Sequence, residues 1–238
     1  MRLIDTIVNF DIGPFQAVLA YLADLPSFSI VQIGAYIGNS KHDPLFKFLQ
    51  SVVNDKPESK VVLVEPIREY FDLLCKNYRN VPSIAFENVA IAETAGERDM
   101  YRLASGVDPV KDGHGRWLTE LSSLREERMG RLWDKCEVAP GHKAYYLEHR
   151  VTEKVTCMTL HQLFEKHQIQ RPDLLQIDAE GYDYEILKTL DFSKVKPRFI
   201  NYERVLLQVD EQACRDMLEA QGYTLFDWGQ DTLCILKE

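Results

Sequence analysis

Short apolar runs alternate with amphipathic helical segments along most of this 238-residue chain. Strands that are apolar along their whole length are buried on both faces, as in a parallel sheet that helices cover on each side. The alternation therefore predicts an α/β fold with a mostly parallel sheet. The segments predicted as strands are SIVQIG (29–34), KVVLVEP (60–66), SIAFENVAI (83–91), KVTCMTL (154–160), DLLQID (173–178), RFINYERV (198–205) and a pair in YTLFDWGQDTLCILK (223–237).

The segments between these runs carry apolar residues at helical spacing, and Thr159 stands where it would cap one of them. The alternation stops between about residues 104 and 150, where charge, glycine and histidine dominate. Such an insertion predicts a lid or binding loop, with a solvated excursion as the alternative. The segments predicted as helices are PFQAVLAYLAD (14–24), DPLFKFLQSVV (43–53), REYFDLLCKNY (68–78), TLHQLFEKHQI (159–169), YDYEILKTL (182–190), DEQACRDMLEAQGY (210–223) and one or two in WLTELSSLREERMGRLW (117–133).

Length and charge limit the kind of protein. The length suits a single domain, 1–238, with an N-terminal helical extension over 1–27 and the insertion over about 104–150. Lys and Arg total 28 against 37 Asp and Glu, a formal charge of -9, which argues against a nucleic-acid surface. No run reaches the ~18 apolar residues of a membrane span, and the five scattered cysteines indicate reduced thiols. We therefore predict a cytoplasmic protein without a signal peptide.

The first predicted strand runs into a turn with two glycines, GAYIGNS (34–40). Ligands of open parallel sheets bind beyond the carboxyl ends of the strands, so a ligand is expected at this turn. Gly34 and Gly38 allow close approach of the backbone or unusual dihedral angles. Their spacing matches neither the dinucleotide fingerprint nor a P-loop. The turn therefore favours a nucleoside whose tail carries no phosphates, although purely structural turns use glycines in the same way.

Carboxylates end two further predicted strands. Glu65 closes the second strand, where it can accept hydrogen bonds from both hydroxyls of a ribose. Alternatively, Glu65 ends the strand and caps the next helix. Asp178 and Glu180 follow DLLQI and precede Gly181. Two carboxylates at one strand tip predict a functional site, because helix capping would account for one of them only.

These motifs follow one another in an order that resembles the FkbM-type S-adenosylmethionine-dependent methyltransferases. The resemblance covers roughly residues 28 to 205, and its most diagnostic element is the D-x-E-G of Asp178 to Gly181. It implies a Rossmann-like class I methyltransferase fold: a mostly parallel seven-stranded sheet, helices on both faces, an N-terminal helix and an antiparallel last strand. Gln32 stands where the family usually has Asp, and Tyr36 where Asn is common. The matching segments are QIGAYIGNS, VEPIREYFDLLCKN, ENVAIAETAGE, LSSL, TLHQLFEKH, DLLQIDAEGYDYEILKTL and FINYE.

The resemblance also implies a cofactor and the residues that hold it. S-adenosyl-L-methionine, and its product S-adenosyl-L-homocysteine, would lie against the glycine turn, with Glu65 on the ribose hydroxyls. Asp178 would lie near the transferred methyl group, with Glu180 behind it or toward the acceptor. The residues implied for the cofactor site are Gln32, Gly34, Ala35, Tyr36, Gly38, Ser40, Glu65, Asn88, Val89, Ala90, Ser123 and Asp178.

A hydroxyl acceptor also needs a general base. The candidates are Asp178, Glu180 and the histidines of the insertion, among which His149 is favoured because it borders the next strand. The two carboxylates would suit a divalent metal ion as well. A third carboxylate would have to come from Asp183 or Glu203, so a metal is not favoured.

The sequence thus predicts an S-adenosylmethionine-dependent O-methyltransferase that acts on a hydroxyl of a small molecule, sugar or natural product. Two alternatives stay open: a partner protein that binds the cofactor without catalysis and, on weaker grounds, an oxidoreductase with a nucleotide cofactor. The expected partner is a small-molecule or glycan acceptor, and a homodimer stays open. Neither nucleic acid nor a membrane span is expected.

Overall fold

The computed structural model describes residues 13–40, 43, 45–81, 83–126 and 140–237. Within these ranges the chain forms two sheets and the helices around them. The helices are α1 (Pro14–Asp24), α2 (Phe46–Val52), α3 (Arg68–Asn77), α4 (Pro140–His149), α5 (Leu160–Lys166), α6 (Asp183–Lys188) and α7 (Glu211–Ala220). The strands are β1 (Ser29–Ile33), β2 (Lys60–Val64), β3 (Ile84–Glu87), β4 (Ala90–Ile91), β5 (Gly96–Leu103), β6 (Ser122–Ser123), β7 (Arg150–Met158), β8 (Leu174–Ile177), β9 (Phe199–Glu203), β10 (Tyr223–Trp228) and β11 (Asp231–Leu236).

The larger sheet has seven strands in the order β10-β11-β9-β8-β1-β2-β3. β11 pairs antiparallel with β9 and β10, and the other neighbouring pairs are parallel. The central strands are apolar throughout because both of their faces are covered: every residue of β8 is buried. The predicted seven-stranded, mostly parallel sheet with an antiparallel last strand is confirmed.

Helices pack on both faces of this sheet. On one face, Phe15 of α1 and Leu49 of α2 are fully buried in a cluster with side chains of β1 and β2. On the other face, Leu163 of α5, Ile186 of α6 and Leu218 of α7 enter a second cluster. Burying a side chain of this size stabilises the fold by roughly 2 kcal/mol. The predicted helices over these segments and at the N-terminal side are confirmed.

A second sheet, which the sequence did not predict, has the order β4-β7-β5-β6. β5 and β7 pair antiparallel from Gly96–Cys157 to Leu103–Arg150. The strand predicted in KVTCMTL is confirmed as part of β7, but it belongs to this second sheet. This sheet lies beside the carboxyl ends of the main strands, because Val89 to Ile91 and Met100 share a cluster with Ile33 and Val64.

The prediction of one strand over SIAFENVAI is wrong. β3 belongs to the main sheet and β4 to the second sheet. Between them, the Asn88 side-chain Nδ2 donates to the carbonyl oxygens of Glu65 (2.9 Å) and Pro66 (3.0 Å). These two hydrogen bonds hold the chain where it leaves one sheet for the other, and an alternating apolar pattern carries no signal for such a break.

The predicted helix or helices over 117–133 are wrong for residues 120–125, which form no helix, whereas Glu126 is helical. A 3₁₀ helix covers Arg116–Thr119 and is followed by the short strand β6. Residues 127–133 lie outside the described residues. α4, later in the same insertion, was not predicted. It packs through Tyr145 and Tyr146 against Leu103 and Leu118, so the insertion has a small apolar core of its own.

Two local predictions can be compared with the structure directly. Thr159 caps α5 as expected: its Oγ1 accepts from the Gln162 backbone N–H (3.1 Å), and the Gln162 Oε1 accepts from the Thr159 N–H (3.0 Å). Four of the cysteines are free thiols, and Cys136 lies outside the described residues.

In the described part of the chain, no helix has the length and apolar character that crossing a membrane requires.

Candidate active site

A cavity opens where the carboxyl ends of β1, β2 and β8 meet the second sheet. It encloses about 910 Å³ of space, including open solvent at its mouth. Gly38, Asn88 and His149 are not among the residues that line it. The predicted site residues that do line it are Gln32, Gly34, Ala35, Tyr36, Ser40, Glu65, Val89, Ala90, Ser123, Asp178 and Glu180.

The glycine turn draws three strands together. Gly34 has a φ of +79°, and a Cβ atom there would lie 1.7 Å from the Asp178 carbonyl oxygen. The backbone N–H groups of Gly34 and Ala35 both donate to the Val64 carbonyl oxygen, at 3.0 and 2.9 Å. Gly38 has a φ of +73°, and a Cβ atom there would lie 2.5 Å from Cε2 of the Tyr78 ring. Both glycines are therefore required by packing of the protein against itself.

Tyr36, between the glycines, connects the turn to the insertion. Its φ of 47° is unusual for a residue with a side chain. Its backbone N–H donates to Glu65 Oε2 (2.9 Å), and its hydroxyl lies 2.8 Å from Thr119 Oγ1 in the 3₁₀ helix. The ring packs edge-on against Tyr70, with centroids 4.6 Å apart. Tyr36 thus fixes the position of the Glu65 carboxylate and of the 3₁₀ helix Arg116–Thr119.

Glu65 lies at the tip of β2 and is only 4% exposed. Its Oε1 accepts from the Ile67 N–H (2.8 Å), and Ile67 is the N-cap residue of α3. Burial raises the pKa of this carboxyl to about 7, against the lowering effect of its two backbone hydrogen bonds and of Arg102. The capping role and a ligand-binding role are compatible, because each carboxylate oxygen has a second lone pair.

Asp178 and Glu180 form the opposite wall, at the tip of β8. Burial raises the pKa of each carboxyl well above its usual range, and repulsion from neighbouring carboxylates raises it further. Asp183 lies behind them and accepts hydrogen bonds from the N–H groups of Ala179 (3.3 Å) and Glu203 (3.2 Å). The two predicted catalytic carboxylates therefore lie together in the cavity, in surroundings that favour proton uptake.

Two buried amide side chains line the cavity. Gln32 was implied as a site residue by the family resemblance, and Gln176 was not predicted. Gln32 of β1 and Gln176 of β8 are register partners and are 4% and 3% exposed. The Oε1 atom of each has no hydrogen-bond partner among the described residues. Gln32 Nε2 points to Asp43 Oδ2 (3.5 Å), and burial raises the pKa of Asp43 to about 6. The signal was readable in the sequence, because VQI and LQI each place one amide inside an apolar strand.

The histidines of the insertion lie together, away from the cavity lining. His149 ends α4, and its Nδ1 lies 2.9 Å from the Tyr145 carbonyl oxygen. The Tyr145 ring lies between His149 and His114, with centroids 4.3 and 4.1 Å away. The Nδ1 atoms of His114 and His142 are 2.7 Å apart. The structure thus does not bring the favoured histidine to the two carboxylates.

The described residues contain no group of three or more His, Cys, Asp or Glu side chains with the arrangement of a metal site. The cavity lining, within the same residues, also contains no lysine, arginine or histidine. Its polar atoms are mainly carboxylate, amide and hydroxyl oxygens. Such a lining suits a ligand that donates hydrogen bonds or carries positive charge, and it offers no cationic side chain to a pyrophosphate.

The strand order, the helices on both faces and the cavity at the strand tips define the Rossmann-like fold of class I methyltransferases. A scan against family models matches the methyltransferase FkbM domain over residues 32–225. The chain therefore belongs to the FkbM methyltransferase domain family, a family of S-adenosylmethionine-dependent methyltransferases. A search of curated proteins finds no match.

Among solved structures, methyltransferase FkbM from Methylobacillus flagellatus KT is similar at 15% identity and a TM-score of 0.46. The match covers 88% of this chain and 44% of that one, so the present chain spans less than half of that protein. An O-methyltransferase from Bacillus cereus in complex with SAH matches at 10% identity and a TM-score of 0.45, and the match covers 98% of this chain and 86% of that one. The O-methyltransferase TomG from Streptomyces achromogenes, in complex with SAM, matches at 12% identity and a TM-score of 0.43, and the match covers 99% of this chain and 89% of that one.

Proposed function

We propose that this chain transfers a methyl group from S-adenosyl-L-methionine to a hydroxyl group of a small molecule, sugar or natural product. The observation that carries the proposal is the placing of Asp178 and Glu65 in one cavity, at the tips of the two strands that flank β1. Family membership supports methyl transfer, and the Asp178 carboxyl in the cavity lining at the tip of β8 supports a hydroxyl as the acceptor. An unactivated hydroxyl has to lose a proton to a base as it is methylated.

The residues present fit the cofactor. Glu65 accepts hydrogen bonds at the strand tip, where a ribose would place its two hydroxyls, and Val89 and Ala90 offer an apolar edge for a base. The unpaired Oε1 atom of Gln32 is an acceptor for the ammonium group of the cofactor. S-adenosyl-L-methionine, when bound, supplies an electrophilic methyl group. The residues proposed to hold it are Gln32, Gly34, Ala35, Tyr36, Ser40, Glu65, Val89, Ala90 and Ser123.

Asp178 is the proposed general base, and Glu180 supports it. Because the pKa of the Asp178 carboxyl is raised, its conjugate acid is stable enough to keep the proton that the acceptor hydroxyl releases. The insertion, where described over 104–126 and 140–150, is proposed to cover the acceptor. Its contact with the glycine turn, from Thr119 to Tyr36, would exclude water from the carboxylates.

Calorimetry with purified protein tests the proposal. S-adenosyl-L-homocysteine is expected to bind with micromolar affinity and NAD is expected not to bind, because the cavity lining offers no described cation to a pyrophosphate. Equal binding of NAD, or no heat from S-adenosyl-L-homocysteine on folded protein, would contradict it. Transfer of a labelled methyl group to an acceptor then separates an enzyme from a protein that binds the cofactor without turnover.

A further inference from the structure

Three carboxylates lie side by side at the edge of the main sheet. Glu203 of β9 is the register partner of Asp231 of β11. Ile177 of β8 pairs with Tyr202 of β9, so Asp178 stands next to Glu203. Neighbouring strands are about 4.8 Å apart, and residues in register point to the same face. We name Asp178, Glu203 and Asp231 the acid row; it runs from the wall of the cavity outward over β9 and β11.

The described residues give the acid row little positive charge. Arg204, the nearest arginine in sequence, directs its guanidinium to Glu211 (3.6 Å) and Asp227 (3.9 Å). Asp231 accepts a hydrogen bond from the neutral Asn201 side chain (2.8 Å). Within the described ranges, the buried Glu203 Oε2 has no hydrogen-bond partner. Arg204 also lowers the pKa of Asp231 against the effect of burial. These residues therefore supply a counter-charge at the outer end of the acid row, whereas Asp178 and Glu203 are repelled by neighbouring carboxylates.

A second observation points to a ligand at the same place. Gln176 precedes Asp178 by two residues in β8, so both side chains face the same side of the sheet. Gln176 is 3% exposed and lines the cavity, and its Oε1 is without a hydrogen-bond partner in the described residues. An unpaired buried carbonyl costs free energy in the absence of a donor. A donor group from a ligand would remove that cost.

We infer that the methyl acceptor carries a protonated amine close to the hydroxyl that is methylated, and that the acid row binds this amine. The inference rests on the proposed function and narrows its substrate class to amino alcohols, amino sugars and related compounds. An ammonium group supplies both the missing charge and up to three donated hydrogen bonds. Asp178 would then contact the acceptor, while Glu203 and Asp231 would hold its amine.

The test uses D-glucosamine, with D-glucose and N-acetyl-D-glucosamine as neutral probes of the same ring. Each is titrated by calorimetry into protein saturated with S-adenosyl-L-homocysteine, at a pH where the amine is protonated. D-glucosamine is expected to bind at least about tenfold more tightly than either neutral sugar, and the difference is expected to shrink with added salt. Glu203→Gln should remove most of the preference, whereas Glu97→Gln, an exposed acid on β5, should keep it.

Equal affinities for the three sugars, or no binding of D-glucosamine, would overturn the inference. So would a preference that Glu203→Gln leaves intact. Tight binding of magnesium ions that Glu203→Gln abolishes would replace the amine by a metal and overturn it too. Binding of S-adenosyl-L-homocysteine is measured first in the same series: its absence contradicts the proposed function, whereas its presence with equal sugar affinities contradicts this inference alone.

Discussion

The two walls of the cavity hold carboxylates in opposite surroundings. Glu65, on the β2 side, accepts backbone hydrogen bonds on both oxygens, from Tyr36 and Ile67. Asp178, on the β8 side, is surrounded by other carboxylates, and repulsion from Asp183 and Asp231 adds to the effect of burial. The first wall holds its acid in a fixed position. The second wall concentrates acid groups whose protons can be exchanged.

This difference teaches how one cavity can separate binding from proton transfer. A carboxylate fixed by two N–H donors suits recognition, because its geometry is set before a ligand arrives. A carboxyl whose pKa is raised by burial and by like charges suits a base, because it can retain a proton near neutral pH. The difference predicts that mutations on the two walls change different measured quantities.

The largest effect is expected from Asp178→Asn. The amide keeps the shape of the side chain but cannot accept a proton, so turnover should fall by about 10²- to 10⁴-fold. Binding of S-adenosyl-L-homocysteine should stay within about tenfold, because Glu65 is untouched. Turnover is measured by methyl transfer to an identified acceptor, and binding by calorimetry.

Asp178→Asn has a second readout that needs no acceptor. Removing one of several crowded acids should raise the melting temperature at alkaline pH, where repulsion among them is greatest. Asp99→Asn, on the surface beside Lys154, is the matched control and should change neither turnover nor the melting temperature at alkaline pH. Normal turnover in Asp178→Asn would show that the tip of β8 is structural and that the two walls do not differ in role.

An intermediate effect is expected from Glu65→Gln, which should change cofactor binding more than turnover. Loss of the charged acceptor should weaken binding of S-adenosyl-L-homocysteine by about 1 to 3 kcal/mol, with turnover at saturation less affected. Binding to the wild type should also strengthen as pH rises through about 7, where Glu65 ionises. Calorimetry across this range checks both points, and a pH-independent difference between the two proteins would argue against Glu65 as the titrating group.

Glu65 should also make stability depend on pH in the ligand-free protein. Its pKa is raised from 4.5 to about 7 on folding, so the folded state binds the proton more tightly. Its contribution to stability is therefore full below about pH 4.5 and is lost as pH rises through 7. The upper limit of this change is roughly 3 kcal/mol. Denaturant unfolding should show a shallower loss over this window in Glu65→Gln than in the wild type.

The main sheet was predictable because each of its central strands is buried on both faces and reads as an apolar run. Position at the end of such a run was enough to place Glu65 and Asp178 at the cavity. The capping box of Thr159 was predictable for a similar reason, since it depends on residues three positions apart. In these cases the physical cause acts within a short stretch of chain.

The second sheet and the acid row were not predictable in this way. β5 reads GERDMYRL, a strand with exposed polar residues whose partner β7 begins 47 residues after β5 ends (150 minus 103). Glu203 and Asp231 become neighbours only through the register of β9 and β11. The displacement of His149 from the cavity follows from its place at the end of α4, which was not predicted. Each depends on contacts between distant segments.

The smallest effect is expected from Tyr36→Phe, which tests the connection between the first wall and the insertion. The substitution removes the hydrogen bond to Thr119 and keeps the ring against Tyr70 and the backbone bond to Glu65. Unfolding free energy should fall by about 1 kcal/mol, and hydrogen exchange should accelerate over Arg116–Thr119. Thr119→Val should lower stability further, because Thr119 Oγ1 also donates to the Arg116 carbonyl oxygen (2.9 Å). The double variant should be no less stable than Thr119→Val if the Tyr36 hydroxyl acts only on Thr119. Tyr184→Phe, whose ring lies near Lys188, serves as the control. Additive losses in the double variant would show that Tyr36 and Thr119 are not coupled, and the insertion would then be held over the cavity by its own apolar core instead of by the glycine turn.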